Sequence, residues 1–574
     1  MLSNLWSPTD EQQPCRRGGW RQRLRDEEDQ DAEEIRISSL LGNLLLSWCD
    51  GQTSASRLHL YAASCVEDNF LHPMAARLSR IGPGQHAQDG LLRLLGTCEI
   101  PQYLSRYPGE TITDAMLPSS WIRLIAQYPH EFKLRLGADG YKLKVFWSDF
   151  LARPANHVLA SEHPVIRGKN IEELSMVVPL ALHADGGPYS KTSSCYCISF
   201  SALLSVGHEK LVQFLCSSNV KKTGSGIDQF WEHLISDFTA LGSGITCGGS
   251  SWSFALLFCK TDEEARCNDF GFPHFASATE VCSECLGNRT TRPFTDLRES
   301  ASWRPSERMD FTTYKMRVRQ PPHPLCDSPF FCHRAFFVLD LMHLADCKGV
   351  AALTFGGVLM YLLADGRLGP NKAARLDLVN TDRAEHYKSR PGVATLPKIL
   401  THNITSSGWG DLHGPAYKAA VTRQASPCFR ALVHKFCTSN SASDCCLRSV
   451  VARLDVVYTL LYSSGAFLSD TSLRTLRAHV IEFGTSYQRL RELSRQSGQL
   501  AFPVRPKIHK FQHLPLLAEY INPRVVQAYA EESLVGTVTR TWKGSVAGRY
   551  HSRVQEVVLV KRVTALLLRF ELET

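Results

Sequence analysis

Carboxylates recur in this chain where apolar runs give way to turns. Pro179 to Ala184 runs into Asp185-Gly-Gly, Ser253 to Cys259 into Lys-Thr-Asp262, and Ala335 to Leu339 into Asp340-Leu-Met-His343. A carboxylate at the C-terminal edge of a buried strand, beside backbone that bends freely, is placed to hold a cation or a substrate. Taken singly, each acid is equally well explained as a turn or cap residue. Asp340 and His343, three apart, can share one face of a helical turn. A fourth acid comes from Tyr529-Ala-Glu531-Glu532-Ser-Leu-Val-Gly536. Neighbours on a helix point about 100° apart, so one of the two glutamates faces inward. The three-residue steps Tyr529, Glu532, Val535, Val538 assign that face to Glu532 and leave Glu531 to solvent or to Arg524.

Cys282-Ser-Glu-Cys285 has the spacing of half a zinc site, with Cys326, Cys332 and His333 as partners for the other half. The alternative is a set of unrelated buried thiols. Toward the end of the chain, Lys507, His509 and His513 precede a basic stretch containing Lys543, Arg549 and Arg553, interleaved with Trp542 and Tyr550. Cations beside aromatic groups suit nucleic acid, against the alternative of a solvated helix face.

The elements that must position these residues differ along the chain. With 574 residues, 44% of them hydrophobic, several domains are expected. The formal charge of +8 permits a polyanionic partner without requiring one. The 19 cysteines lack the dense spacing of a secreted scaffold and read as reduced thiols. No basic-then-apolar signal segment opens the chain, and the apolar stretch from Gly349 to Leu363 is short for a bilayer span. Residues 1–35, rich in charge, read as a disordered tail. Helical leucine spacing marks 36–105, including Leu91 to Leu95. A mixed support region follows over 106–170, where Trp121 to Ile125 looks helical and Tyr141 to Trp147 alternates like a strand. Over 171–345, Cys195 to Phe200 and Leu211 to Cys216 read as strands, and Ile227 to Leu241 as a helix opened by a capping box at Ser225 and Asp228. Residues 346–500 are a helical insertion, and 501–574 complete the core.

In order and spacing, these features resemble the DDE transposases of eukaryotic cut-and-paste elements, particularly the CACTA-like (En/Spm) and Plavaka-type relatives. The resemblance spans Val177 to Arg549: LHADG, LFCKTD, the CxxC, the DxxH, the helical insertion, PKxH…H and AEESLVG. It implies an α/β fold with a ribonuclease-H-like mixed sheet interrupted by a helical insertion, preceded by an N-terminal helical region. It implies catalysis by Asp185, Asp262 and Glu532 holding Mg²⁺ (or Mn²⁺), with Asp340 and His343 in support. It also implies DNA ends and target DNA as partners, no membrane, a homo-oligomer and a nuclear location. Thr261 stands where the family has Gly or Asn, and Ser533 where it has a basic residue. A domesticated, inactive DNA-binding or scaffold protein is therefore the alternative to an active enzyme.

Overall fold

The computed structural model describes residues 39–67, 116–191, 194–205, 212–218, 225–277, 279–390, 393–406, 408–545 and 551–573. The expected tail over 1–35, the leucines at 91–95, Arg549 and the side chain of Ser225 lie outside the described residues. In chain order the principal elements begin with α1 (Ser39–Cys49), α2 (Ala55–Glu67), α3 (Pro118–Ala126), α4 (Pro129–Leu136) and α5 (Gly140–Leu151). Next come β1 (Val177–Pro188), β2 (Ser194–Ala202), β3 (Val212–Ser218), α6 (Ser225–Leu241), β4 (Ile245–Cys247), β5 (Ser250–Thr261), α7 (Glu263–Asn268) and β6 (Phe337–Leu339). The helical part follows as α8 (Val350–Ala364), α9 (Lys372–Lys388), α10 (Ser426–Phe436), α11 (Ala442–Ser463) and α12 (Asp470–Gln496). The chain closes with α13 (Pro506–Phe511), α14 (Leu514–Tyr520), α15 (Tyr529–Ser545) and α16 (His551–Glu573).

These elements form two compact units. One comprises the chain up to Asp139, Met176–Leu256 and Ala530 onward; the other comprises Gly140–Ser175 and Leu257–Tyr529. The sheet has the order β3-β2-β1-β5-β4, with β6 pairing β5. It mixes antiparallel pairs with the parallel β5–β6 pair.

In the first unit, β1 and β2 form a long antiparallel ladder from Leu180↔Ala202 to Pro188↔Ser194. Asp185 therefore pairs with Cys197 inside the strand and does not end it at Ala184. The hydrogen bonds of a full-length partner strand outweigh the local turn preference of Asp-Gly-Gly. Alternation then sorts the side chains onto two faces. On one face, Phe200 packs edge-on against Phe238 of α6, at 6.4 Å between rings. The buried stripe Ile227, Phe230, Trp231, Leu234, Phe238 and Leu241 supplies that cover, as its helical spacing predicts. On the other face lie Ala181, His183, Asp185 and Gly187, opposite Ser201, Ser199, Cys197 and Cys195. Such small residues let a helix come close, and α15 does. A Cβ on Gly187 would sit 2.4 Å from Thr539 Oγ1.

In the second unit, α5 corrects the expectation of a strand over Tyr141 to Trp147. Leu143, Phe146, Trp147 and Phe150 are buried at helical spacing, and that stripe overrides the apparent alternation. Helices α11 and α12 pack together through the stripes around Leu447–Leu461 and Leu476–Leu490. Helix α8 is apolar on every side and nearly all buried. Together with the turn before it, as Met342–Ala364, it is long and apolar enough to cross a membrane, but 72% of its most apolar window is buried inside the protein. Gly356 lets the backbone of Asp411 press against it, since a Cβ there would lie 2.2 Å from Asp411 N.

Candidate functional site

The chemistry-bearing side chains fall into one group in the first unit and two in the second. In the first unit, α15 lies on the small-residue face of the β1–β2 ladder. His183, wholly buried, has Nε2 3.6 Å from Glu532 Oε1. Burial alone would lower the imidazole pKa, but the nearby Glu532 carboxylate and the charges of Glu531 and Asp185 raise it above the ordinary value. Asp185 Oδ1 accepts from the backbone N–H of Gly186 at 2.6 Å. Glu531 does not face solvent or Arg524. It is 1% exposed, and its Oε1 accepts from the Ser201 hydroxyl at 2.7 Å. The inner face of α15 follows the buried set Glu531, Leu534, Val535, Val538 and Trp542 rather than steps of three from Tyr529. Both glutamates thus reach the sheet, Glu531 fully and Glu532 from its margin.

In the second unit, Thr261 pairs with Leu339 at the ends of the parallel strands β5 and β6. Asp262 and Asp340 follow these two residues directly, so the two acids leave neighbouring strand ends. Asp262 caps α7, with Oδ1 accepting from Ala265 N at 2.6 Å, which leaves Oδ2 for a cation. Asp340 is saturated instead. Its Oδ1 accepts from Ala528 N at 2.9 Å and Met342 N at 3.2 Å, and its Oδ2 from His343 Nδ1 at 2.6 Å. Burial works against its ionisation, but the His343 hydrogen bond and charge hold its pKa below the usual carboxylate range. The pairing orients the His343 ring, with Nδ1 toward the carboxylate and Nε2 away from it. Beyond it, a wide helical turn, Met342–Asp346, ends in Asp346, which is fully buried. Asp346 accepts hydrogen bonds from the Tyr458 hydroxyl and, at 2.7 Å, from the Tyr529 hydroxyl. Burial pushes its pKa up to about 7, the two tyrosine bonds opposing.

The second unit also holds a Cys/His cluster. Cys282, Cys285, His509 and His513 are all buried, with ligand atoms within 4.8 Å of one another. Cys285 Sγ and His513 Nε2 each lie 3.3 Å from His509 Nε2. The backbone N–H groups of Glu284 and Gly287 donate to the two sulfurs at 3.4 and 3.2 Å. The Arg317 guanidinium ties down the carbonyls of Cys282, Ser283 and Cys285 at 2.7–3.0 Å. His513 Nδ1 lies 3.2 Å from Glu307, and Trp303 packs edge-on against both imidazoles. Burial would raise the Cys282 thiol, but the Cys285 hydrogen bond and the adjacent imidazoles bring it well below its ordinary value. This arrangement could hold a metal ion.

The half-site partners expected for the CxxC are elsewhere. Cys326 Sγ donates to the Phe270 carbonyl at 3.6 Å, His333 Nε2 lies 3.1 Å from the Leu257 carbonyl, and Cys332 is outside the cluster. His509 and His513, expected to meet DNA, are instead 0% and 1% exposed and complete the cluster. Their spacing of four, in a chain that also carries a CxxC, was the available signal. Lys507 is directed inward, donating to the Cys347 carbonyl at 2.9 Å. Lys543 is exposed on α15, and Arg553 lies on α16. His183 went unread in the sequence, although alternation from Asp185 places it on the same strand face. Compared with protein-family models and with curated proteins, the chain matches none of them.

Proposed function

We propose that the chain is a transposase-like, DNA-processing enzyme built on a ribonuclease-H-like sheet, hydrolysing and transferring phosphodiester bonds with divalent metal ions. The observation that carries this reading is the return of α15 onto β1, which brings Glu532 from the far end of the chain beside His183 and Asp185. Strand order 3-2-1-5, with β6 beside β5 and α6 between β3 and β5, supports the fold part of the reading. Asp185 and Glu532 are the proposed metal ligands of the first unit, and Asp262, with its spare oxygen, is taken separately as a candidate ligand of the second. Bound Mg²⁺ or Mn²⁺ ions would activate a water or 3′-hydroxyl and stabilise the leaving oxyanion. Asp340 orients the His343 ring and tethers Ala528, the residue before α15. Glu531, held by Ser201, fixes the pitch of α15 against the sheet.

The Cys/His cluster is proposed to hold a structural zinc. A tetrahedral site with Zn–N bonds of about 2.05 Å separates its two nitrogens by about 3.3 Å, the spacing of the two Nε2 atoms. Four protein ligands with no open position fit a structural rather than a catalytic ion.

One observation favours a second reading, a domesticated DNA-binding protein without turnover: the buried His183 already faces Glu532, and its pKa is raised by Glu532, Glu531 and Asp185. Metal-dependent nicking of supercoiled DNA decides between them. Asp185→Asn, Asp262→Asn and Glu532→Gln should each abolish nicking while leaving DNA binding close to the parent's. Glu531→Gln, which keeps the Ser201 bond, should cut at near the parent rate. DNA binding without nicking by the parent protein would establish the second reading, and equal nicking by all variants would remove the first.

A further inference from the structure

A cavity of about 200 Å³ in the second unit opens at the ends of β5 and β6. Water occupies roughly 30 Å³ in the liquid, so the space takes an organic group rather than a lone ion. One part of its lining is apolar: Leu339, Leu344, Leu353, Pro506 and the ring of Phe275. Phe275 is 36% exposed and stacks on His274, with ring centroids 4.3 Å apart. Another part is cationic, formed by Arg266, Lys348, Arg505, Lys507 and Lys510, against the carboxylates of Glu263 and Asp340. Lys510 is neutralised by Glu263, and Arg266 by Glu284. The remaining excess is positive.

Lys348 holds φ of +47°, the left-handed region that lysine rarely adopts.

An apolar, aromatic-walled space with a cationic side suits a planar group carrying a phosphate. We propose that this cavity binds one nucleotide unit of a single nucleic-acid strand, its base against Phe275 and the apolar wall and its phosphate toward Lys348 and Lys507. Stacking on an aromatic ring beside cations is how strands are held without sequence readout. The source of the nucleotide, a strand rather than a free metabolite, rests on the DNA-processing reading; the chemistry of the cavity does not.

The test is calorimetric titration of the full chain, without added divalent metal, with deoxyadenosine 5′-monophosphate, deoxyadenosine and inorganic phosphate. The nucleotide should bind roughly tenfold or more tightly than the nucleoside, as a charge-assisted contact requires. Lys507→Met and the exposed Lys348→Gln should each weaken the nucleotide several-fold without altering the nucleoside. Phe275→Ala should weaken nucleotide and nucleoside alike and leave inorganic phosphate unchanged. A 5′-phosphorylated single-stranded oligonucleotide should displace the nucleotide. Equal binding of nucleotide and nucleoside, or indifference to both lysine variants, would overturn the proposal. A bound nucleotide that the oligonucleotide cannot displace would overturn its assignment to a strand. Nucleotide binding by a chain that fails to nick DNA would sink the nuclease reading while leaving this one standing.

Discussion

Replacing Asp346 by asparagine should change how the stability of the protein responds to pH. Asp346 is buried beneath the Tyr458 and Tyr529 hydroxyls, and its pKa rises from 3.8 to about 7. A raised folded pKa means that the native state binds the proton more tightly than the unfolded chain. Stability linked to this group is therefore full below about pH 4 and is lost as pH rises toward 7. Each unit corresponds to about 1.4 kcal/mol, so the loss approaches about 4 kcal/mol. An asparagine side chain keeps the shape and an acceptor for one tyrosine, donates to the other, and does not titrate. Histidines and other acids titrate in the same window, so the informative quantity is the difference between the two proteins. Urea unfolding followed by tryptophan fluorescence at pH 5, 6, 7 and 8 should show Asp346→Asn gaining on the parent up to pH 7. Above that, the difference should stay constant. Parallel pH profiles for the two proteins would refute the assignment of Asp346 as a buried acid strained by ionisation.

Gly287→Ala would bring a Cβ to 3.1 Å from both Cys285 Sγ and His509 Nε2. Overpacking of this kind costs about 1–3 kcal/mol, so the variant should retain less than one equivalent of zinc per chain in a chelator-release assay where the parent retains one. Gly356→Ala should gain up to about 1 kcal/mol in helix propensity. It should lose more, about 3 kcal/mol, by pushing the Asp411 backbone off α8, and a lowered melting temperature in a thermal scan checks which effect wins.

What the sequence made legible was periodicity. The stripe of α6 and the paired stripes of α11 and α12 read directly into elements because burial of one face dictates them. Cys195 to Phe200 reads as a strand because its two buried faces differ, large residues meeting α6 and small ones α15. Three things were hidden, two of them because a distant partner decides the outcome and one because the window is short. Asp-Gly-Gly carries a turn signal, yet β2 keeps it in a strand. Tyr141 to Trp147 alternates over a window too short to distinguish from the helical stripe that Phe150 completes. The inner face of α15 depends on which residues meet Ser201 and Thr539's neighbour Gly187, so the two adjacent glutamates could not be told apart by spacing. The CxxC was legible as half a metal site, but its other half lies on α13 and the turn after it, and only packing selects among several thiols and imidazoles.

The burial of α8 has a consequence for how the protein is made. Gly356 and Gly357 are shaped to receive Asp411, Ala501 and Phe502, and those residues leave the ribosome long after the helix does. At roughly 5–20 residues per second, synthesis leaves on the order of ten seconds between Gly357 and Phe502. During that interval the nascent chain presents a helix that by length and hydropathy passes for a membrane insert. Its safe delivery depends on temporary cover, from chaperones or from collapse onto the helices that emerge sooner. The chain must defer its own completion without exposing its most insoluble segment.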